Sequence, residues 1–185
     1  MTIFKIIWTL WIVSEILLNR LLRSKDKSLK NHDKGTLRII WITIVIAVLA
    51  GVTFSNIYRI LISNSLTIQY VGLFLIVFGM VFRFISIWTL GKFFTVDISI
   101  FKDHKIKKDG FYKFIRHPSY LGSLISFAGL GLSINNWISF FVILIPVAWS
   151  FLNRIQAEEK MLVNQFGNAY LEYIKKTKRL IPFIY

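Results

Sequence analysis

The chain has 185 residues, of which 55% are hydrophobic, 16% aromatic and only 17% charged, with a mean hydropathy of +0.60. Soluble domains carry roughly 25% charged residues, so this composition excludes an ordinary soluble domain and a disordered chain. The absence of cysteine excludes a disulfide scaffold, thiolate chemistry and Cys-ligated metal centres.

A net charge of +14 and a pI near 10.2 would suggest nucleic acid if the charge were spread over a water-facing surface. Here Lys and Arg crowd between apolar blocks, the pattern of a multispanning membrane protein, and no nucleic-acid partner is expected. The first block, Ile3 to Leu22, is long enough to span the hydrocarbon as a helix. It contains Glu15 and is followed by a basic cluster, so it reads as a retained helix, not a signal peptide. The polar stretch 23–34 reads as a loop. The second block runs from Leu37 to Phe54 and the third from Leu66 to Leu90, the latter holding Gly72, Gly79 and Arg83. A cation at that depth should face protein or water.

From Gly91 to Pro118 the character changes, with seven basic residues, three Asp and two of the three His. Residues 95–101 alternate polar and apolar, which suits a short strand or extended lead-in. Lys108-Asp109-Gly110 signals a turn, and Pro118 suits the first turn of a helix. A fourth block, Ser119 to Ile134, and a fifth, Trp137 to about Leu152, are joined by Asn135-Asn136 as a helical hairpin. From Asn153 to Lys176 the pattern is amphipathic, with a possible break at Gly167. The expected fold is therefore an all-α membrane protein of about five transmembrane helices. Residues 1–90 form three spans with a basic loop, and residues 91–185 hold polar segments around a helical hairpin, where the resemblance carried by the segments quoted below implies a catalytic region with a C-terminal cytosolic cofactor-binding part. Alternation of basic and uncharged loops predicts the N-terminus outside and the C-terminus in the cytoplasm.

Two clusters could carry chemistry. Arg116-His117-Pro118-Ser119-Tyr120 gathers a cation, an imidazole and a phenol at the mouth of a span. The plainer reading, interfacial anchors in an aromatic belt, stays open on spacing alone. Arg154 and Glu158 are i,i+4 and share a helix face, and Glu159 follows. A surface ion pair is the plainer reading here, although acids at a membrane mouth need partners and a cationic ligand would supply one. Three separated histidines without matching acids predict no metal site. No G-x-G-x-x-G follows a strand, which excludes a soluble dinucleotide domain.

Together these pieces resemble the isoprenylcysteine carboxyl methyltransferase family. The matching segments are Leu90-Gly-Lys-Phe-Phe, His104-Lys-Ile-Lys-Lys-Asp-Gly-Phe-Tyr112, Arg116-His-Pro-Ser-Tyr-Leu-Gly122, Arg154-Ile-Gln-Ala-Glu-Glu159, Phe166-Gly-Asn-Ala-Tyr170 and Arg179-Leu-Ile-Pro182. Phospholipid methyltransferases and the C-terminal region of membrane sterol reductases share weaker versions of the pattern. The resemblance implies an S-adenosylmethionine-dependent methyl transfer to a lipophilic acceptor at the membrane, carboxyl O-methylation of an isoprenylcysteine-like amphiphile foremost. Lipid N- or O-methylation is the alternative, and an NADPH-dependent lipid reductase or a non-enzymatic scaffold stands behind it. By motif position, His104, Lys105, Ile106, Lys107, Tyr112, His117, Pro118, Ser119 and Tyr120 would hold the adenosylmethionine. Glu158 would face its amino or sulfonium end, and Arg154 the substrate carboxylate. Asp97 occupies a position where some members contact the cofactor.

Overall fold

A computed structural model describes residues 2–22, 35–91, 94 and 106–181. The chain is all-α, with helices α1 (Thr2–Leu21), α2 (Thr36–Ile57), α3 (Thr67–Leu90), α4 (Pro118–Ile134), α5 (Trp137–Phe166) and α6 (Asn168–Lys176), and a 3-10 turn at Gly110–Lys113 before α4. The loop expected at 23–34 and the lead-in at 95–101 lie outside the described residues.

Four helices, α1, α2, α3 and α5, are long and apolar enough to cross a bilayer, whereas α4 has 17 residues. Of the about five transmembrane helices expected, four therefore have the length to span, and α4 does not. At 1.5 Å per residue, α4 covers about 25 Å, less than the ~30 Å hydrocarbon core. The chain itself punctuates it: Pro118 occupies the first turn, and Asn135, at φ 57, ends the helix in the left-handed region. The fifth apolar block and the amphipathic stretch after it form one helix, since α5 continues unbroken to Phe166. No Gly or Pro interrupts its amphipathic half until Gly167, whose positive φ of 52 turns the chain into α6.

Helix α4 is nevertheless the centre of the bundle. Its buried positions are Pro118, Ser119, Gly122, Ser123, Ser126, Phe127, Gly129, Leu130, Gly131 and Ser133, mostly small residues that admit close backbone approach. It runs antiparallel to α3: a Cβ on Gly79 would come within 2.5 Å of the Gly122 carbonyl, and one on Gly122 within 2.8 Å of the Arg83 amide nitrogen. The Ser126 hydroxyl donates across to the Ile76 carbonyl at 3.1 Å, so the contact is polar as well as tight. Helix α2 lies along α5 in the same manner, with Ser139 Oγ donating to the Gly51 carbonyl at 2.7 Å. The Asn135-Asn136 turn is tied to the α2–α3 connection, Asn135 Nδ2 donating to the Ser63 carbonyl at 2.8 Å. Helix α1 is pinned to α4 by the Trp8 indole, which donates to Ser133 Oγ at 3.1 Å, and by the edge-on contact of Trp11 with Phe127.

Outward-facing apolar side chains remain uncovered along the helices, Ile46, Phe74 and Trp88 at 61%, 65% and 84% exposure. That is the surface of a protein solvated by lipid tails, where packing of small residues, not burial of apolar ones, holds helices together. The substitution Gly79→Val should therefore destabilise the fold by about 1–3 kcal/mol through overpacking. Ile46→Ala on the lipid face should stay within roughly 0.5 kcal/mol. Melting temperatures of the two variants in detergent check the contrast.

Candidate functional site

The polar end of the bundle is assembled where α4 begins, α5 leaves its apolar half, and α6 folds back. A short backbone bridge closes this end: the Arg116 amide donates to the Lys178 carbonyl at 2.8 Å and the His117 amide to the Arg179 carbonyl at 3.2 Å. Buried between these strands, the Glu159 carboxylate is gripped by three side chains. Arg116 Nε stands 2.7 Å from Oε1, Arg179 Nη2 2.7 Å from Oε2, and His117 Nε2 3.3 Å from Oε1. Arg116 also donates to the Thr177 carbonyl.

Successive residues on a helix are rotated by about 100°, so the adjacent acids do different things. Glu159 faces this clamp, while Glu158 faces a cavity of about 470 Å³. Tyr120 donates its hydroxyl hydrogen to Glu158 Oε2 at 3.1 Å and accepts from Arg154 Nε at 3.0 Å. Arg154, only 2% exposed, also donates to Thr36 Oγ1 on α2 at 2.7 Å. The His117 ring sits between the two acids, its Nδ1 3.9 Å from Glu158 Oε2. A cation, a phenol and a carboxylate are thus linked in series on the cavity wall, the cation and carboxylate one helical turn apart on α5 and the phenol on the third residue of α4.

The cavity has two contrasting ends. Lys107, Tyr112, His117, Tyr120, Arg154, Glu158, Tyr170 and Tyr173 line the polar one, and Ile12 and Ile16 of α1 with Ile40, Ile44, Val48 and Val52 of α2 line the apolar one. From Leu37 to Val52 the wall follows α2 for about 22 Å, most of the depth of a hydrocarbon core. Burial pushes the phenols of Tyr112, Tyr170 and Tyr173 well above the ordinary tyrosine range. At neutral pH they are hydrogen-bonding groups and not bases. Tyr173 uses its hydroxyl to hold the Tyr112 carbonyl at 2.6 Å, and Tyr112 donates to the Ser86 carbonyl at 3.3 Å.

Of the residues singled out from sequence, Ile106, Lys107, Tyr112, His117, Ser119, Tyr120, Arg154 and Glu158 line this one cavity. Pro118 is fully buried as the first residue of α4 and shapes the site through the backbone. His104, Lys105 and Asp97 lie outside the described residues. The sequence reading gave no role to Glu159 as an anchor, to Tyr170 and Tyr173 as cavity walls, or to Thr36 as a partner of Arg154. The double acid was the available signal for the first, and the Phe166–Tyr170 segment for Tyr170; nothing local marks Tyr173 or Thr36.

Comparison with known proteins shows what the chain is similar to. The family model described as the isoprenylcysteine carboxyl methyltransferase (ICMT) family matches residues 71–164, just over half of the chain. Protein-S-isoprenylcysteine O-methyltransferase B of Arabidopsis thaliana is 36% identical over 115 residues, covering 61% of this chain and 58% of the relative. The protein-S-isoprenylcysteine O-methyltransferase of Saccharomyces cerevisiae is 40% identical over 116 residues, covering 61% and 48%. The solved structure of the eukaryotic intramembrane Ras methyltransferase ICMT is similar at a TM-score of 0.63 and 27% identity, over 77% of this chain and 52% of that one. The chain spans about half the length of the relatives it matches. The matched stretch takes in Tyr112, His117, Tyr120, Arg154 and Glu158, and the chain belongs to the isoprenylcysteine carboxyl methyltransferase family.

Proposed function

We propose that the chain methylates the carboxylate of a lipid-linked, isoprenylcysteine-like acceptor with S-adenosylmethionine as donor. The observation that carries this reading is the Arg154–Tyr120–Glu158 series at the junction of the polar and apolar ends of one cavity. The family membership supplies the reaction type, and the names of the relatives supply the acceptor class.

The residues present fit the donor. A methyl sulfonium with an amino-acid tail needs a carboxylate for its cationic groups, a cation for its carboxylate and aromatic surface for its base. Glu158, Lys107 and the Tyr112, Tyr170 and Tyr173 rings offer these at the polar end, beside His117, Ser119 and Tyr120. His104 and Lys105 complete the cofactor segment by motif position. When bound, the donor supplies an electrophilic methyl group.

Arg154 holds the acceptor carboxylate, a task for which a guanidinium is suited by its paired donors. Tyr120 fixes Arg154 relative to Glu158, so that the acceptor oxygen and the donor are presented to each other in line. With the acceptor oxygen held by Arg154, the donor's methyl would pass to it as the bond to sulfur breaks, which would leave a neutral ester and a neutral thioether. No proton moves. A carboxylate is already ionised at neutral pH, which agrees with a site whose outer phenols are held neutral by burial. The apolar walls of α1 and α2 take the lipid chain and keep water from the reacting groups. In the membrane, the short α4 crosses as a fifth span by virtue of its enclosure between α3 and α5. The basic loops then place the polar end on the cytoplasmic side and the N-terminus outside.

The two neighbouring acids should separate in experiment. Glu158→Gln should weaken S-adenosylhomocysteine about 10–100-fold, the worth of a charged hydrogen bond, with little change in melting temperature. Glu159→Gln takes the carboxylate charge away from the buried Arg116 guanidinium and should cost about 3–5 kcal/mol of stability, read as a large fall in melting temperature. Arg154→Ala and Arg154→Lys should each lower turnover by about 100-fold or more through misplacement of the acceptor, while calorimetry finds S-adenosylhomocysteine binding close to wild type. Full turnover in both Arg154 variants would overturn the assignment of roles.

A further inference from the structure

Glu15 and Arg83 stand inside the apolar helices α1 and α3, and the scheme above uses neither. Arg83 Nε lies 3.0 Å from Glu15 Oε1, with the side chains 14% and 18% exposed. The contact is close but poorly aligned: the buried Nε of Arg83 has no hydrogen-bond acceptor among the described residues, and neither has the buried indole Nε1 of Trp11. Trp11 is 3% exposed and precedes Glu15 by one helical turn, so the two share a face of α1. Arg83 is anchored from its other side, Nη1 donating to the Ser119 carbonyl at 3.0 Å. Trp11, Glu15 and Arg83 all line the cavity that holds Arg154 and Glu158, and Ser119 is the chain neighbour of Tyr120, on which Arg154 rests.

Charged groups at membrane depth are costly to keep, and a buried pair is commonly replaceable by apolar residues without loss of stability. Two buried donors without acceptors add to that cost. What would satisfy them is a neutral planar group offering one acceptor and one donor side by side. We infer that Trp11, Glu15 and Arg83 form a subsite for an amide of the acceptor. Its carbonyl accepts from Arg83 Nε–H or Trp11 Nε1–H, and its N–H donates to the Glu15 carboxylate. A second carboxylate would be repelled by Glu15, and an ester would leave Glu15 without a donor. The subsite rests on the reading that the cavity takes a lipid-linked carboxylate, and adds a basis for choosing acylated amino acids over plain lipid acids. Glu15 and Trp11 lie outside the stretch that the family model matches, and Arg83 lies inside it.

The test compares two acids that differ only by an acetamido group beside the carboxylate: N-acetyl-S-farnesylcysteine and S-farnesyl-3-thiopropionic acid. With the purified full chain in lipid nanodiscs, kcat/KM should favour the amide-bearing acid by about tenfold, the worth of an ordinary satisfied pair of hydrogen bonds. The ratio should collapse toward one in Glu15→Gln and in the charge-neutral pair Glu15→Leu with Arg83→Met. A wild-type ratio near one overturns the subsite without any variant. So does a ratio that survives in variants whose melting temperature alone has fallen, the behaviour of a structural pin. Should neither acid be methylated, the proposed reaction fails, and the subsite is judged on binding. Tighter binding of the amide acid in thermal-shift titrations, lost in Glu15→Gln, upholds it; equal binding overturns it.

Discussion

Three separate stretches of chain are tied together at the Glu159 carboxylate, and the cavity mouth exists because they are. Arg116 and His117 bring the start of α4, Arg179 brings the segment after α6, and Glu159 itself belongs to α5. A carboxylate this buried is tolerable only when each oxygen has a charged or hydrogen-bonding partner, and here both do. The clamp leaves the next residue back, Glu158, rotated into the cavity with its own partner, Tyr120. One acid holds the architecture so that the other is free to meet a ligand.

The second constraint is solvent. The proposed donor is a water-soluble zwitterion and the proposed acceptor is a lipid, so their meeting place must be wet at one end and oily at the other. The bundle provides this by using backbone contact where soluble proteins use bulky cores. Gly72 and Gly79 on α3 meet Gly122 and Gly129 on α4, which keeps the α3–α4–α5 framework rigid and thin. The space this saves lies between α1, α2 and the framework, and is the apolar reach of the cavity. The intramembrane pair Glu15–Arg83 then stands in the wall of that reach and not in a sealed core, which is why a ligand-binding role fits it better than a purely structural one.

Much of this was legible in the residues. Apolar blocks separated by basic segments specify the spans, Gly167 breaks the last long helix, and the Arg116–Tyr120 and Arg154–Glu158 clusters announce themselves as polar groups at a membrane mouth. The bounds of α4 were legible too, Pro118 opening the helix and Asn135 closing it, but its 17 residues fall short of the length of the other spans. The change of composition at Asn153 marks where α5 leaves its apolar half and not where the helix ends, because helical hydrogen bonding is indifferent to which solvent its faces meet. The Glu159 clamp was out of reach: its partners lie 43 residues before and 20 after, and no local pattern couples them. Glu15 and Arg83 were each conspicuous as charges within apolar runs, but their meeting depends on how α1 lies against α3, which periodicity does not encode.

The most direct measurement is methyl transfer itself, made on the protein in a bilayer. Purified chain in nanodiscs, given S-adenosylmethionine labelled in its methyl group and N-acetyl-S-farnesylcysteine, should place the label in a product that mild base releases as methanol, the signature of a carboxyl ester. Label in a base-stable ether or amine, or no transfer by protein that binds S-adenosylhomocysteine, would contradict the account.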